Sequence, residues 1–346
     1  MQPTVGYFIF AQIIAVALLE SGRVYVRAQG GGNGASRVYG SGYEPMKAYE
    51  GVSFKNVNTD TLSEARRKAL QGNMHSQYFL ALTLLYTTLG TDQEIAQSIA
   101  EAAAWFEKAS DQGHLEAKTN LALLTLAGAG VSVDPLRAWE LLREATDLGS
   151  TDAPWLLGRM YYDMRVTWEP GSEFERGLEY FMTAADRGSA RGMFYVGVMH
   201  EYGLGMEARD PFEASKWYKK ASDLRDAEAM YYYALQHMYG RGVPKNTPEA
   251  VSLFHESANL QHAPAMMFLA KIYSEGANGV AIDYNRAANW YAQAAEAGDE
   301  IVAPQAAAAR DEMRKYLKEA EDVMKEGVRM QHRVEEKSNP SLNKEL

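Results

Sequence analysis

The feature that most constrains the fold of this chain is a pair of large apolar residues that recurs six times. Successive pairs are separated by 36, 39, 37, 36 and 37 residues. The six pairs are Trp105-Phe106, Leu141-Leu142, Tyr180-Phe181, Trp217-Tyr218, Leu253-Phe254 and Trp290-Tyr291. A period of this length indicates a stack of similar supersecondary units, because a single unit cannot bury its apolar face without neighbours.

Residues 190–224 show the repeated unit most clearly. Apolar residues at helical spacing predict a first helix, a turn at Gly203 and Gly205, and a second helix that begins at Asp210 and Pro211. Asp210 can cap the free amide groups of this helix, and Pro211 occupies the first helical position, where its missing N–H costs nothing. The sequence therefore predicts an all-α chain built from helix hairpins.

This pattern resembles the Sel1-like repeat, a relative of the tetratricopeptide repeat with a slightly longer period. The resemblance covers roughly residues 64–300 and includes the small residues, the turn glycines, the capping aspartates and the aromatic pairs. The third unit departs from it, because residues 161–166 lack turn glycines and residues 168–173 lengthen the connection; the first unit also departs at its turn, residues 87–89. The resemblance implies a right-handed α-solenoid of about six repeats, used as an adaptor or assembly scaffold, with no shared catalytic residue.

The N-terminal residues 5–19 form an apolar run that only Gln12 interrupts. As a helix this run spans about 22 Å, which is short of the ~30 Å hydrocarbon core, and extension to residue 26 closes the gap. We expect residues 1–27 to form an uncleaved hydrophobic helix that contacts the lipid bilayer through residues 5–26. Arginines follow the run, which favours a cytoplasmic or matrix location for the solenoid. A cleaved signal peptide and a helix buried in a partner are the alternatives.

The remaining boundaries follow from composition. Residues 28–60 are rich in glycine and are predicted to be a linker, either a tether, a strap on a neighbour or a disordered spacer. A predicted capping box, Thr61-Leu62-Ser63-Glu64, starts the repeat array of residues 61–303. Residues 304–337 are predicted to form one long helix that caps the last repeat. The apolar stripe near Met324–Met330 leaves open a helix that projects to a partner. Residues 338–346 form a polar tail.

Composition and motif searches exclude several function classes. The net charge of −10 argues against a nucleic-acid groove, and the absence of cysteine excludes disulfides and thiolate metal sites. His200 and His237 occupy equivalent positions of adjacent repeats, where we expect imidazoles packed in the core, and no H-E-x-x-H motif or phosphate-binding loop occurs. We therefore expect no catalytic residue, metal, cofactor, nucleic acid or small-molecule substrate.

Nine aromatic residues of the repeats lie at positions expected to point away from the second helix of a hairpin. They are Trp155, Tyr162, Phe194, Tyr195, Tyr202, Tyr231, Tyr232, Tyr239 and Phe268. Aromatic side chains with a polar tip anchor many protein interfaces, so the set is interpreted either as core packing or as a binding face. Packing explains Tyr195, Tyr202, Tyr232 and Tyr239 least well. Alanine at both Tyr195 and Tyr232 is expected to release a partner without lowering the melting temperature.

These features together predict a non-catalytic protein-interaction scaffold, serving as an accessory or assembly subunit of a membrane protein complex. The expected partners are other protein subunits and the bilayer, and the expected location is the mitochondrial inner membrane. One alternative is an adaptor of endoplasmic reticulum quality control with a cleaved signal peptide. The other is a hydrolase of repeat-protein type, for which no nucleophile, acid or base is assembled in the sequence.

Overall fold

The structure is a computed structural model that describes residues 59–87, 91–163, 172–276, 279–297 and 301–338. The predicted N-terminal hydrophobic helix, nearly all of the predicted linker and the polar tail after residue 338 lie outside the described residues. The same is true of residues 88–89 and 168–171, on which the two expected departures from the repeat partly fall. The described residues contain fourteen α-helices and no strand, which confirms the all-α prediction.

The chain divides into two compact units, residues 1–245 and residues 246–346. In the described part of the first unit, each helix packs against the next one along the chain, as stacked hairpins require. Its helices are α1 (Thr59–Leu70), α2 (Met74–Thr87), α3 (Asp92–Asp111), α4 (Leu115–Ala127), α5 (Pro135–Asp147), α6 (Ala153–Tyr162), α7 (Glu173–Asp186), α8 (Ala190–Tyr202), α9 (Pro211–Asp223) and α10 (Ala227–Tyr239).

The second unit contains α11 (Thr247–Asn259), α12 (Ala263–Glu275), α13 (Tyr284–Glu296) and α14 (Val302–Ser338). Helix α14 packs on α13 and, less extensively, on α12. The long helix expected over residues 304–337 is therefore present, and Pro304 lies in its first turn, where proline is tolerated.

Caps define where most of the predicted second helices begin. Asp210 accepts hydrogen bonds from the backbone N–H groups of Phe212 and Glu213, both at 3.0 Å, and Pro211 is the first helical residue. The predicted start of the array needs correction. Helix α1 begins at Thr59, so Thr61 lies inside the helix and is not its N-cap.

The second member of each apolar pair forms the core. Phe106, Leu142, Phe181, Tyr218 and Phe254 are fully buried. The small residues that precede the pairs, including Ala102, Ala138, Ala214, Ala250 and Ala287, are also fully buried. The recurring pairs and small residues therefore mark the contacts between the two helices of a hairpin and its neighbours, as the repeat pattern predicts.

Turn glycines make a second kind of contact between repeats. Gly240 ends α10 in the left-handed conformation at a φ of 68°. Residues with a Cβ atom adopt this conformation only at a cost in free energy. Gly242 has a similar φ of 69°, and a Cβ atom there would lie 1.9 Å from the carbonyl oxygen of Pro211. A Cβ on Gly205 would lie 2.6 Å from the carbonyl oxygen of Phe174. The second glycine of these turns thus touches the backbone of the preceding repeat.

A candidate protein-binding face

Burial divides the nine aromatic residues proposed as partner contacts into two groups. Trp155 and Phe194 are each 2% exposed, and Tyr195 is 7% exposed. These three side chains belong to the core and offer no surface to a partner. The expectation that they form a binding face is corrected accordingly.

Tyr195 is buried because side chains of two neighbouring helices surround it in the middle of α8. Its ring stacks on Phe181 of α7 at a centroid distance of 4.7 Å and an interplanar angle of 11°. It also lies parallel to Trp155 of α6 at 6.2 Å. Arg159 donates a hydrogen bond to the Tyr195 hydroxyl, and its guanidinium lies 5.2 Å from the centre of the ring. Tyr195 therefore holds α6, α7 and α8 together.

The remaining tyrosines stay at least partly accessible. Tyr202 is 59% exposed and Tyr239 is 55% exposed, and each is the last residue of its helix. Tyr162, Tyr231 and Tyr232 are half-buried. We call these five residues, on α6, α8 and α10 of the first unit, the tyrosine face.

The members of the tyrosine face lie close together. Burial raises the pKa of Tyr162 and of Tyr232, and the neighbouring Tyr202 hydroxyl contributes to both shifts. The rings of Tyr231 and Tyr232 meet edge to face at 5.6 Å. Burial raises the pKa of Tyr231, with Tyr239 as the next cause. Tyr202 therefore influences tyrosines on the first helices of both neighbouring repeats.

The half-buried rings rest on the core. Tyr232 meets Phe194 edge to face at 5.3 Å and Tyr218 at 5.5 Å, and both of these rings are buried. Such contacts fix the orientation of Tyr232, so little side-chain entropy remains to be lost when a partner binds.

An ion-pair network joins two successive repeats beside this face. Arg191 of α8 lies 3.2 Å from Asp226, measured from Nε to Oδ2, and also donates a hydrogen bond to Glu228 of α10. Asp226 is almost fully buried, and it also caps α10 by accepting from the Ala229 N–H at 2.9 Å. Burial alone would lower the pKa of Arg191, but the two carboxylates outweigh it and the pKa is raised.

Two further charged groups are held by neighbours. Arg159 pairs with Asp163 at 3.0 Å, and the Tyr218 hydroxyl donates to Glu201 at 2.6 Å. Burial, and then the charge of Glu201, raise the pKa of Tyr218. Together with the Arg191 network and Arg241, whose guanidinium lies 5.3 Å from the centre of the Tyr239 ring, the surroundings of the tyrosine face hold four carboxylates against three guanidinium groups. The local charge is therefore negative.

Sequence reasoning missed this network, although a signal for it exists. Arg191 and Glu228 are 37 residues apart, which is one repeat period, so they occupy the same position in consecutive first helices. Equivalent positions of stacked repeats lie next to each other. Opposite charges at one repeat position therefore predict an ion pair between repeats.

The other predicted residues lie elsewhere. Phe268 belongs to the second unit, is half-buried and stacks on Phe254 at 4.5 Å. His200 and His237 are partly buried, and their Nδ1 atoms are enclosed without a hydrogen-bond partner in the described part of the chain. Across residues 59–338, with the gaps given above, no group of three or more potential metal ligands is found.

A helix that crosses a membrane must be both long and predominantly apolar. None of the described helices combines the length and the apolar composition that a membrane span requires. The apolar run of residues 5–19 lies outside the residues to which this finding applies.

Comparison with known proteins identifies relatives for both sequence and fold. The chain is 29% identical to the DAP3-binding cell death enhancer 1 of Rattus norvegicus over 179 residues, which cover 41% of this chain and 34% of that protein. The Mus musculus protein of the same name is 31% identical with the same coverage. The chain thus matches about a third of the length of these relatives.

A solved structure supports the fold. The crystal structure of a Sel1 repeat protein from Oxalobacter formigenes superposes with a TM-score of 0.56 at 23% identity, and covers 69% of this chain and 88% of its own. The Sel1 repeat profile matches residues 75–114, 115–150, 190–226, 227–262 and 263–299. The unmatched hairpin, α6 and α7, is the one whose sequence lacks the turn glycines. More than half of the chain is matched, so this chain belongs to the Sel1 repeat family.

Proposed function

We propose that this chain is a non-catalytic protein-binding scaffold that serves as an accessory or assembly subunit of a mitochondrial inner-membrane complex. The observation that carries the proposal is the tyrosine face, where three successive first helices supply five tyrosines that stay at least partly accessible. Tyrosine buries a large ring at low entropic cost and keeps a hydroxyl for hydrogen bonding, which suits a reusable protein contact. Sel1 repeats mediate protein interactions, and the relatives bear a name that describes binding to another protein, DAP3.

The charges beside the tyrosine face indicate the kind of segment that it would bind. Arg159 and Arg191 already pair with carboxylates of this chain, and carboxylates outnumber guanidinium groups there. A partner segment carrying lysine or arginine would gain from these carboxylates and from the faces of the tyrosine rings. We therefore propose a basic segment of another subunit as the occupant.

The membrane part of the proposal rests on the sequence. It retains a hydrophobic helix over residues 1–27 that meets the bilayer through residues 5–26. A linker follows up to the start of α1 at Thr59, and then a right-handed array of about six repeats up to residue 303. The capping helix of residues 304–337 and the tail of residues 338–346 are also retained. Nucleic acid and small-molecule substrates have no place in this scheme.

The test combines native electrophoresis with variants of the most exposed tyrosines. Membranes are gently solubilised and separated on a native gel, and mass spectrometry identifies the proteins that co-migrate with the chain. Three forms of the chain are compared: wild type, the double variant Tyr202→Ala/Tyr239→Ala and the control Phe212→Ala. Phe212 is also 59% exposed but lies in the first turn of α9, a second helix, so it controls for the loss of an exposed ring. We expect wild type and control to co-migrate with a large complex in fixed ratio, and the double variant to be released from it.

The outcomes separate the candidate functions. Retention of the double variant in the complex would refute the tyrosine face as the contact. The same mass spectra locate the mature N-terminus of the chain. A start between residues 20 and 30, with the chain migrating alone, would instead favour the adaptor of endoplasmic reticulum quality control. Turnover of a hydrolase substrate panel by the purified chain would be needed to favour the hydrolase alternative.

A further inference from the structure

The C-terminal half of α14 leaves a row of apolar side chains uncovered. The first half of the helix packs within the second unit, where Ala306 is fully buried and Tyr316 meets Tyr284 of α13 at 4.9 Å. From residue 318 to residue 331 every side chain is exposed. Val323 is 72% exposed and Met324 is 71% exposed. Segment 318–338 is about 31 Å long as a helix, which is long enough for three heptads.

The spacing of these residues is that of a coiled-coil seam. Ala320, Val323, Gly327 and Met330 follow one another at intervals of three, four and three residues. These are alternating a and d positions of a heptad, which face a partner helix. The opposite side of the helix is polar, and Lys325 pairs there with Glu321 at 3.6 Å. A solvated helix needs no such seam, so the pattern indicates a second helix.

Side-chain size selects the orientation of that second helix. The a positions Ala320 and Gly327 are small, whereas the d positions Val323 and Met330 are large. A Cβ atom added to Gly327 would meet nothing within 4 Å, so a large side chain can be placed against it. An antiparallel copy of the same helix sets residue 320 against residue 330 and residue 323 against residue 327. Every layer then combines one small and one large residue, which fills the seam evenly.

Charge supports the same orientation. In this register residues 318–322, with one lysine and three carboxylates, face residues 328–332, with one arginine and no carboxylate. An antiparallel pair places the negative half of each helix beside the positive half of the other, whereas a parallel pair places like beside like. We infer that this half of α14 is a self-association surface, on which a second copy of the chain docks antiparallel about a two-fold axis level with residue 325.

The absence of cysteine from the chain allows a direct test by single-site cross-linking. The full-length chain is purified in mild detergent with one introduced cysteine and treated with a short bifunctional maleimide. We expect Met324→Cys to give mainly covalent dimer, because the two copies of this residue flank the seam on the same side and are offset by only about 3 Å along the helix. Lys325→Cys is the matched control, since it is adjacent and exposed but points away from the seam. It should remain mainly monomeric.

Two further variants test the orientation. In the antiparallel pair the two copies of Met330 are displaced by about 15 Å along the axis, so Met330→Cys should not cross-link to itself. A mixture of Ala320→Cys chains and Met330→Cys chains should cross-link, because these positions share a layer. Adding Val323→Asp to Met324→Cys should abolish the dimer while the helical circular dichroism signal is retained, because Val323 is exposed in the single chain.

Each result decides the inference. Absence of Met324→Cys dimer would overturn it and would leave the N-terminal apolar segment, a helix of another protein or lipid as the candidates to cover this surface. Efficient self-cross-linking of Met330→Cys would show a parallel pair and would also overturn it. Because this surface and the tyrosine face belong to different units, loss of either interaction leaves the other measurable.

Discussion

The contact between Gly242 and the preceding repeat offers the sharpest test of how the first unit is held together. Gly240 and Gly242 lie in one turn and have almost the same φ, 68° and 69°. They differ in surroundings. A Cβ atom on Gly242 would lie 1.9 Å from the Pro211 carbonyl oxygen, whereas on Gly240 its nearest neighbour would be the Lys245 Cβ at 3.3 Å. Both glycine-to-alanine variants therefore lose stability through the unfavourable backbone conformation, but only Gly242→Ala also loses stability through a steric clash.

The magnitudes follow from these two costs. Placing an L-residue in the left-handed region costs about 1–2 kcal/mol at either position. At Gly242 the new methyl group also overlaps a backbone atom of α9, which cannot move without shifting the helix, so overpacking adds about 1–3 kcal/mol. We expect Gly240→Ala to lose about 1–2 kcal/mol of unfolding free energy and Gly242→Ala about 2–5 kcal/mol. The difference measures the contact between repeats.

Urea denaturation of the purified chain, followed by circular dichroism, measures both losses. The slope of the unfolding free energy against urea should remain equal in the two variants, which shows that the same surface unfolds. A lower slope for Gly242→Ala would mean that the stack separates at this turn and unfolds in parts. Equal losses for both variants would refute the reasoning, because backbone conformation alone would then explain them.

Three further predictions concern side chains. Tyr195→Ala should cost about 3–5 kcal/mol of unfolding free energy by emptying the core, whereas exposed Tyr202→Ala should stay within about 0.5 kcal/mol, both measured by urea denaturation. Asp226→Asn keeps the cap but leaves Arg191 with one carboxylate, so it should lower the unfolding free energy by about 2–3 kcal/mol. A similar loss from Asp226→Asn in a chain that already carries Arg191→Met would contradict the pairing. Burial lowers the pKa of His255, helped by a nearby arginine, so the unfolded chain binds a proton more readily. Stability should therefore fall as the pH drops below 6.5, and His255→Gln should remove that part of the fall.

The hairpins were predictable from sequence because their signals are local and repeat. Each signal indicates one structural feature. An aspartate before a proline marks the start of a helix, a glycine after a helix marks its end, and an alanine before a large apolar pair marks a close contact between helices. The periodic recurrence of these signals removes the ambiguity of any single one. The start of α1 was misplaced because the box at Thr61–Glu64 fits a helix N-terminus in sequence, while the structure continues the helix back to Thr59.

The outward direction of the first helices was harder to predict. Tyr195 and Tyr202 are seven residues apart on α8 and share a helix face, yet one is 7% and the other 59% exposed. The difference arises along the helix rather than around it, because Tyr195 in the middle of α8 stacks on Trp155 of α6 and Phe181 of α7, while Tyr202 is the last residue of the helix. First helices packed on several sides carry apolar residues nearly all round, so no amphipathic stripe marks their free surface.

The turns of the first unit have a consequence for how such chains change over evolution. At Gly130, Gly205 and Gly242 the joint between neighbouring repeats is made by main-chain atoms that touch main-chain atoms. Substitution of solvent-exposed residues leaves this backbone contact intact, so one repeat can replace another without a change in how neighbouring repeats pack. A lineage can then exchange, duplicate or redecorate its repeats and acquire new partners, while the distance from one repeat to the next stays the same.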